Sequence, residues 1–449
     1  MKRFRIAVLA AVFVIICMMS GCSANENRIG MSVTIDNIDV AQLTEAEAYE
    51  KLSYHYAKQT YNTIITITDS NGNSVSERAD ALGLDYDVRS SVLAAIDMSY
   101  IAWNGRSGRN IDTEMIIDTA KLRSKIDEIA KKFTVSPEQA TFAYNPDSDG
   151  FFDFVPEKIG YKVDTDMLYE KVYDALSGKA ERNIEIELTQ LMPTYTLDDA
   201  KSDCSLLGEF STSFGSGSLN NPGRVKNIVK GAGLIDGYAI APGESFDINK
   251  VLGPRNETNG WFVAPGIVKG KYEPEYGGGI CQVSTTLYNA ALLSGMEIVE
   301  RHHHSWPMSY APIGQDATIT TGGLNLILKN TSDKTVIVSA LVNTEKQSIT
   351  VRMFGRKTDD PYTRKLVSKK IKTIAQPEDE YKLDSSLASN TVKEFRSGRE
   401  GVISETYMYY YDKNGDVIKK ELISKDTYRA LSTIYYVSED MYYSRFWEK

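Results

Sequence analysis

The chain has 449 residues, which is longer than a single hydrophobic core usually extends and therefore predicts about two to four domains. Hydrophobic residues make up 42% of the chain and charged residues 25%, a balance typical of globular proteins that excludes a mostly disordered chain. The formal net charge of −9 at pH 7 gives no basic footprint for a phosphate backbone, so we expect no nucleic-acid partner.

Residues 1–22 have the layout of a secretory signal. A basic start precedes an apolar run over residues 6–19, which is short for a bilayer-spanning helix but suits a signal sequence. The run ends in Met19-Ser20-Gly21-Cys22, which resembles a lipobox, whose cysteine receives a lipid after cleavage. Two outcomes stay open: a lipoprotein attached through Cys22, or an uncleaved signal anchor. Both place the rest of the chain on the extracytoplasmic face of a bacterial membrane, at the cell wall.

Residues 30–195 predict an α+β domain. Thr44 followed by Glu47 is a capping-box pattern ahead of a helix. Ile65 and Ile67 alternate with threonines, which is the period of a strand with one buried face. Further along, the pattern predicts in turn a hairpin at Asn71-Gly72, a helix over about 112–132, a helix over 165–176 and a strand over 184–188.

Two further domains are expected after this one. Residues 205–345 are dense in glycine and contain His302–His304, and we expect an α+β fold for them. Within them, Gly215–Arg224 lacks the lysine of a phosphate-binding loop and is expected to be a plain loop. Residues 355–440 are expected to be all-β, because alternating strands flank Asn414-Gly415, a dipeptide typical of hairpin turns. The predicted class of the whole chain is α+β multidomain.

Cys281 stands between three glycines, Gly277–Gly279, and a helical pattern. The apolar face of that pattern is formed by Val283, Leu287, Ala290 and Ala291. Cys281 therefore lies in the first turn, where the helix dipole and unpaired N–H groups stabilise a thiolate. The glycines allow a substrate backbone to come close, and N–H groups of such a turn bind a developing oxyanion. These features favour a nucleophile.

A base for this thiol is predicted downstream. His302, His303 and His304 are adjacent, and in the β context expected for them His302 and His304 share one face while His303 takes the other. An imidazole near the thiol holds its proton and returns it to the leaving group. Asp316 is a candidate to orient that imidazole as the third member of a triad-like arrangement, or else a plain turn residue.

Other roles for Cys281 stay open from the residues alone: a buried packing residue, a disulfide partner of Cys204, or a metal ligand. The bridge is disfavoured because Cys204 and Cys281 are the two cysteines beyond the leader, which is no disulfide framework. A metal site is disfavoured because no HExxH or CxxC spacing accompanies the histidines. We expect no metal and no cofactor.

Four longer motifs carry a family resemblance. They are FSTSFGSGSLNNPGRVKNI, APGESFDIN, GGGICQVSTTLYNAALLSGMEIVERHHHSWPMSY and GQDATI, and together they resemble the VanW domain family over about residues 210–330. The family pattern commonly lacks histidine in the middle of the triplet, which favours His302 and His304 over His303. Residues 45–191 are similar to the peptidoglycan-binding domain that precedes the catalytic domain of some L,D-transpeptidases, and residues 360–437 resemble a glycine-rich, G-five-type accessory domain of cell-wall proteins.

The resemblance implies chemistry on peptidoglycan stem peptides, because some VanW-domain proteins are regarded as L,D-transpeptidases. Cys281 would then form the acyl-enzyme, although the usual Ser/Thr-His-Gly-Cys motif of these enzymes is absent. Two alternatives stay open: a papain-like peptidoglycan peptidase, in which water resolves the acyl-enzyme, and a non-catalytic wall-binding or assembly protein. The residues expected to contact the substrate or its oxyanion are Gly278, Gly279, Gln282, Ser284 and Arg301.

Overall fold

The computed structural model describes residues 28–101, 108–215, 221–268, 271–358 and 362–447. The chain divides into two compact units: a first unit of Met1–Glu138 with Lys158–Pro193, and a second unit of Gln139–Glu157 with Thr194–Lys449. The predicted signal segment and Cys22 lie outside the described residues. Within the described ranges, no helix has both the length and the apolar character needed to cross a bilayer.

Helices and strands alternate along most of the described chain. The helices are α1 (Glu45–Asn62), α2 (Val88–Ile101), α3 (Thr119–Phe133), α4 (Thr165–Leu176), α5 (Leu197–Asp203), α6 (Pro222–Ile235), α7 (Ile248–Leu252), α8 (Ile280–Leu293) and α9 (Glu439–Trp447). The strands are β1 (Val33–Ile35), β2 (Ile38–Asp39), β3 (Ile64–Asp69), β4 (Ser74–Arg78), β5 (Leu84–Tyr86), β6 (Arg109–Ile111), β7 (Met115–Ile117), β8 (Thr141–Tyr144), β9 (Phe152–Val155), β10 (Gly160–Val163), β11 (Asn183–Ile186), β12 (Leu188–Leu191), β13 (Ser205–Ser213), β14 (Ala239–Ile240), β15 (Ser245–Asp247), β16 (Val263–Val268), β17 (Lys271–Tyr276), β18 (Glu297–Glu300), β19 (Ile327–Lys329), β20 (Val336–Asn343), β21 (Ser348–Gly355), β22 (Thr363–Ile374), β23 (Glu380–Leu383), β24 (Val392–Arg396), β25 (Gly401–Tyr411), β26 (Val417–Tyr428) and β27 (Ile434–Val437). The predicted α+β multidomain class is confirmed.

The first unit packs helices on small sheets around two apolar clusters. In one cluster α1 and α2 lie against the sheet β2-β1-β6, with Leu52 and Ile35 fully buried. In the other, α3 and α4 cover the sheet β11-β3-β4, with Leu122 and Ile65 fully buried. The predicted strand residues Ile65 and Ile67 thus face the core, as their alternation with threonine indicates.

The ends of three helices in the first unit can be compared with the ends that the sequence pattern predicts. The capping box is confirmed: Thr44 accepts the N–H of Glu47, whose carboxylate accepts the N–H of Thr44 at 2.9 Å. The helix predicted over 165–176 is also confirmed. The helix predicted from residue 112 begins instead at Thr119, because Asp118 caps it and the preceding residues pair with β5 as strand β7.

The second unit is built around α8. This helix packs on the sheet β13-β21-β20-β14 and against α6, and its polar face is buried together with its apolar face. The Asn289 amide donates to the carbonyl oxygen of Gln315 at 2.8 Å, and the Thr285 hydroxyl accepts the N–H of Ala317 at 3.0 Å. Because protein encloses α8 on both faces, its first turn is fixed relative to the segment 315–317.

The C-terminal strands belong to the same compact unit. β22, β25 and β26 form an antiparallel sheet whose hairpin turns through Asn414-Gly415, as predicted. β23, β27 and β24 form another sheet, and α9 follows the last strand. Met408 of β25 joins the core around α8, and Tyr428 at the end of β26 is almost fully buried. The sheet therefore reaches the residues that surround α8.

Candidate active site

Cys281 is the second residue of α8 and directly follows a turn of three glycines. The turn needs glycine: Gly279 has a φ of +103°, and a Cβ at Gly278 would lie 2.6 Å from the carbonyl oxygen of Ala264. The predicted position of the cysteine in the first helical turn is confirmed. At that position the helix dipole and the first-turn N–H groups favour a thiolate over a thiol.

His304 and Asp316 form a hydrogen-bonded pair beside Cys281. Nδ1 of His304 lies 2.6 Å from Oδ2 of Asp316, and the backbone N–H of His304 donates to the same oxygen at 2.7 Å. The two side chains are only 4% and 2% exposed. The hydrogen-bond partners of the Cys281 sulfur are Oγ1 of Thr318 at 3.6 Å and the carbonyl oxygen of Ile319 at 3.5 Å, and the imidazole lies close enough to lower the pKa of the thiol. Because the carboxylate engages Nδ1, Nε2 is the nitrogen left to face the thiol.

These three groups shift one another's pKa values. Burial lowers the pKa of His304, but its hydrogen bond to Asp316 and the adjacent Cys281 raise it more, to about 9. Burial raises the pKa of Cys281, but the adjacent His304, together with the contacts to Ile319 and Thr318, outweighs burial and holds it below the ordinary value of a thiol. Burial also raises the pKa of Asp316, and the bonds from His304 bring it below its usual range. The arrangement therefore favours a thiolate–imidazolium pair near neutral pH.

The second oxygen of Asp316 is held by Tyr428, at the end of β26. The Tyr428 hydroxyl donates to Oδ1 of Asp316 at 2.5 Å and accepts the Gly314 N–H at 2.9 Å. Nε of Arg301 donates to the carbonyl oxygen of Asp316 at 2.7 Å, and Nη1 donates to both carboxylate oxygens of Asp426 at 2.8 Å. Both carboxylate oxygens of the Asp316 side chain are thus fixed by hydrogen bonds.

The three adjacent histidines differ in their hydrogen-bond partners and in whether they line the cavity. β18 ends at Glu300, so the histidines follow the strand instead of continuing it, and the expected alternation of faces is wrong. Nε2 of His302 lies 2.9 Å from Oε1 of Glu300, and the His302 side chain is 40% exposed. Nδ1 of His303 lies 2.6 Å from the carbonyl oxygen of His304. Of the three, His304 lines the cavity at Cys281 and His302, an expected base, does not.

The residues expected to contact the substrate fall into two groups. Those that line the cavity are Gly278, Gly279 and Gln282, and those that do not are Ser284 and Arg301. The Gln282 side chain is fully buried, and its Nε2 donates to the carbonyl oxygen of Ser213 at 2.9 Å. The Ser284 hydroxyl donates to the carbonyl oxygen of Ala317 at 2.7 Å. Ser284 and Arg301 therefore bind the segment that carries Asp316, and they do not face the cavity.

The cavity at Cys281 has a volume of about 400 Å³ and includes residues that the sequence pattern did not indicate, namely Arg224, Arg255 and Tyr310. The stretch ending at Arg224 was expected to be a plain loop, but α6 begins at Pro222 and Asn221 caps it by accepting the N–H of Arg224 at 2.9 Å. An asparagine followed by proline is a usable helix-start signal. Arg255 has no comparable local signal.

Cys204 is a free cysteine, as is Cys281, so the two do not form a bridge. It lies at the end of α5 and is buried beside Phe152, Ile337 and Phe354. Burial, with a smaller effect of Asp203, raises the pKa of its thiol to about 12. Such a thiol is an inert packing residue. In the part of the chain that the structure describes, no group of three or more His, Cys, Asp or Glu side chains is placed to hold a metal ion.

Two segments of the chain match known protein families. Residues 223–354 match the family described as "VanW like protein", and residues 76–185 match the family described as "Putative peptidoglycan binding domain". The first segment contains Cys281, His304 and Asp316. Tyr428 lies outside both segments.

The chain is similar to two curated proteins over part of their length. It is 35% identical over 187 residues to "Uncharacterized protein YoaR" of Bacillus subtilis (strain 168), which is 41% of this chain and 61% of the relative. It is 26% identical over 151 residues to "Vancomycin B-type resistance protein VanW" of Enterococcus faecalis (strain ATCC 700802 / V583), which is 32% of this chain and 54% of the relative. The matched part thus spans less than two thirds of either relative.

Two solved structures resemble a small part of the chain. "Crystal structure of HP0197-G5" has 19% identity and a TM-score of 0.12, covering 18% of this chain and 100% of that one. "IgA1 Protease G5 domain structure" has 18% identity and a TM-score of 0.14, covering 18% of this chain and 96% of that one. The chain thus has a segment similar to the VanW-like family, and this segment lies C-terminal to a segment similar to the family described as "Putative peptidoglycan binding domain".

Proposed function

We propose that the protein is a cell-wall L,D-transpeptidase that forms 3–3 cross-links between peptidoglycan stem peptides through an acyl-enzyme on Cys281. The observation that carries the proposal is the hydrogen-bonded pair His304–Asp316 beside Cys281 at the wall of a cavity. A thiolate with an adjacent imidazolium is an activated nucleophile for acyl transfer. The match to a peptidoglycan-binding family supports the substrate class.

In the acylation step, the Cys281 thiolate attacks the carbonyl carbon of the third stem residue, a diamino acid. The peptide bond to the terminal D-alanine breaks, and the His304 imidazolium gives its proton to the departing amine. Asp316 keeps the imidazole oriented through Nδ1 and stabilises its charge until that transfer. The N–H groups of Ile280 and Gln282 donate to the carbonyl oxygens of Gly277 and Gly279, so the N–H group of Cys281 is the expected donor to the oxygen that becomes negative in the tetrahedral intermediate.

In the second step, the side-chain amine of a neighbouring stem attacks the thioester. Neutral His304 takes a proton from the attacking amine, the new amide bond forms, and the Cys281 thiolate leaves. The energy of the broken peptide bond is kept in the thioester, so the reaction needs no nucleotide, metal or cofactor. Such chemistry suits a protein that is held on the extracytoplasmic face of the membrane, through Cys22 or an uncleaved anchor, and faces the cell wall.

The test is incubation of the purified protein with disaccharide-tetrapeptide, followed by mass spectrometry of the products. We expect dimers that have lost one D-alanine, and we expect none from the Cys281→Ala variant. Cys204→Ala is the matched thiol control, because its sulfur lies in an apolar cluster and not in the cavity. Cleaved monomers without dimers would identify a peptidase that uses water as acceptor. Unchanged substrate together with retained binding to the cell wall would identify a non-catalytic wall-binding protein.

A further inference from the structure

Two arginines lie in the cavity that contains Cys281. Arg224 is in the first turn of α6, and Arg255 follows α7; both line the cavity and both are partly buried. Among the described lining residues, the one acidic side chain is Glu275. A protein with a formal net charge of −9 thus keeps two guanidiniums in a cavity that the Glu275 carboxylate and Cys281 also line.

Hydrogen-bond acceptors of the protein engage only some of the N–H donors of each guanidinium. Nη2 of Arg224 donates to Oε1 of Gln282 at 2.6 Å. Nη2 of Arg255 donates to Oδ1 of Asn249 at 2.7 Å, and its Nη1 donates to the carbonyl oxygen of Gly253 at 3.3 Å. All three acceptors are neutral, and within the described ranges neither arginine has a carboxylate at ion-pair distance. Each guanidinium has further N–H donors in a fork that fits a carboxylate.

A partly buried guanidinium without a carboxylate at ion-pair distance is stabilised by an anion that binds it. Burial lowers the pKa of both arginines; the Cys281 thiolate opposes this effect at both of them, and Glu275 also opposes it at Arg255. One alternative is that the arginines serve the thiolate alone. His304 already lies beside that thiolate as a cation, and each guanidinium keeps N–H donors that no protein carboxylate occupies at ion-pair distance. An anionic group of the ligand would accept from these donors.

We propose that Arg224 and Arg255 form a subsite for the free carboxylate of the amino acid that the reaction expels. The inference rests on the function proposed above, because it states which end of the stem peptide this cavity takes. The carboxylate carbon of the last residue is three bonds of about 1.3–1.5 Å from the scissile carbonyl carbon, so the two lie within about 4 Å. A carboxylate held by the arginines would therefore place that carbonyl in the cavity that Cys281 also lines.

The subsite makes the reaction specific for the last peptide bond of the donor stem. A donor stem with one more residue carries its carboxylate about 3.5 Å further along the peptide. When the bond after the third residue is attacked, that carboxylate lies beyond the two guanidiniums. The guanidiniums keep the leaving amino acid in place while His304 protonates its amine. When that amino acid departs with its carboxylate, the cavity opens for the acceptor amine.

The test compares disaccharide-tetrapeptide, the same peptide with a C-terminal amide, and the pentapeptide. Binding is measured by calorimetry on the Cys281→Ala protein, and kcat/KM is measured on the active protein. We expect the amide and the pentapeptide to bind and react about 10- to 100-fold less well than the free tetrapeptide acid, the range of a charge-assisted contact. Arg224→Met and Arg255→Met should each bring the acid-to-amide ratio close to one.

Two controls separate the subsite from misfolding and from bulk charge. Arg255→Lys keeps the charge and should keep part of the preference for the acid. Lys226→Met removes an exposed charge from the same helix as Arg224 and should keep all of it. Equal binding of acid and amide to the Cys281→Ala protein overturns the subsite, whether or not the active protein turns over.

Two kinetic outcomes would also overturn it. One is a preference for the acid that survives in both arginine-to-methionine variants. The other is equal slowing of acid and amide together with a raised thiol pKa, which would assign the arginines to the thiolate alone. Preferential binding of the acid without any product would sink the proposed reaction and leave the carboxylate subsite standing, so the two failures are distinguishable.

Discussion

Replacing Asp316 with asparagine removes the charge beside His304 while nearly keeping the shape of the side chain. The pKa of His304 is about 9, against about 6.5 for a free histidine, a difference of about 3 kcal/mol in favour of the imidazolium. Asp316 and the Cys281 thiolate together provide this stabilisation against the cost of burial. Without the carboxylate, burial favours the neutral imidazole, and the thiolate then loses its counter-charge.

We therefore expect the pKa of the Cys281 thiol in Asp316→Asn to rise to at least the free value of about 8.5. Only about 3% of the thiol would then be ionised at pH 7. Labelling with iodoacetamide at pH 7 should be about 10-fold slower than in the native protein, because a more basic thiolate offsets part of the loss. The labelling rate at Cys281, followed from about pH 5 to pH 10 by peptide mass spectrometry, gives the thiol pKa directly.

Glu300→Gln is the matched control for this experiment, because it removes a carboxylate that contacts His302 and not His304. Its labelling profile should overlay that of the native protein. If the Asp316→Asn profile also overlays the native one, the carboxylate does not control the ionisation of the pair, and the reasoning fails.

Three further predictions follow from the same contacts. The kcat/KM for stem peptide should rise with pH as the Cys281 thiol, whose pKa is depressed, loses its proton. It should fall near pH 9 as His304, whose pKa is about 9, loses the proton that the leaving amine requires. A fall of kcat/KM that begins near pH 6.5 would contradict this assignment. Tyr428→Phe removes a buried hydroxyl that donates to a carboxylate, so urea titration should show a free energy of unfolding lower by about 1.5–3 kcal/mol. The control Tyr409→Phe, on the hairpin, should show no loss. Equal free energies of unfolding for the two variants would argue against the contact. Cys204, with a buried thiol whose pKa is about 12, should stay unlabelled at pH 8 until the protein is denatured, and prompt labelling of the folded protein would show that its cluster is open.

Features that depend on neighbouring residues could be predicted from the sequence. The glycines before Cys281 and the helical spacing after it lie in one continuous stretch, so the first-turn position of the thiol followed from local rules. The choice between His302 and His304 did not, because it depends on where β18 ends. The strand stops at Glu300, and the chain then turns without the two-residue period that the expectation assumed.

Features that depend on distant contacts could not be predicted. Tyr428 was one of many tyrosines in an alternating strand pattern, and it contacts Asp316 only because β26 runs back to the core. Arg255 follows a short helix in a polar stretch, and its place in the cavity comes from tertiary packing. No periodicity or capping rule relates such residues, since their neighbours in space are far away in the chain.

The segment that matches the VanW-like family, residues 223–354, is shorter than the set of residues that holds the site together. β13 supplies the Ser213 carbonyl oxygen that binds Gln282, and β26 supplies the Tyr428 hydroxyl that binds Asp316. The shortest continuous piece that contains both strands runs from residue 205 to residue 428. A fragment cut at the family boundaries loses both contacts, so its inactivity in an assay would carry no information about the full chain.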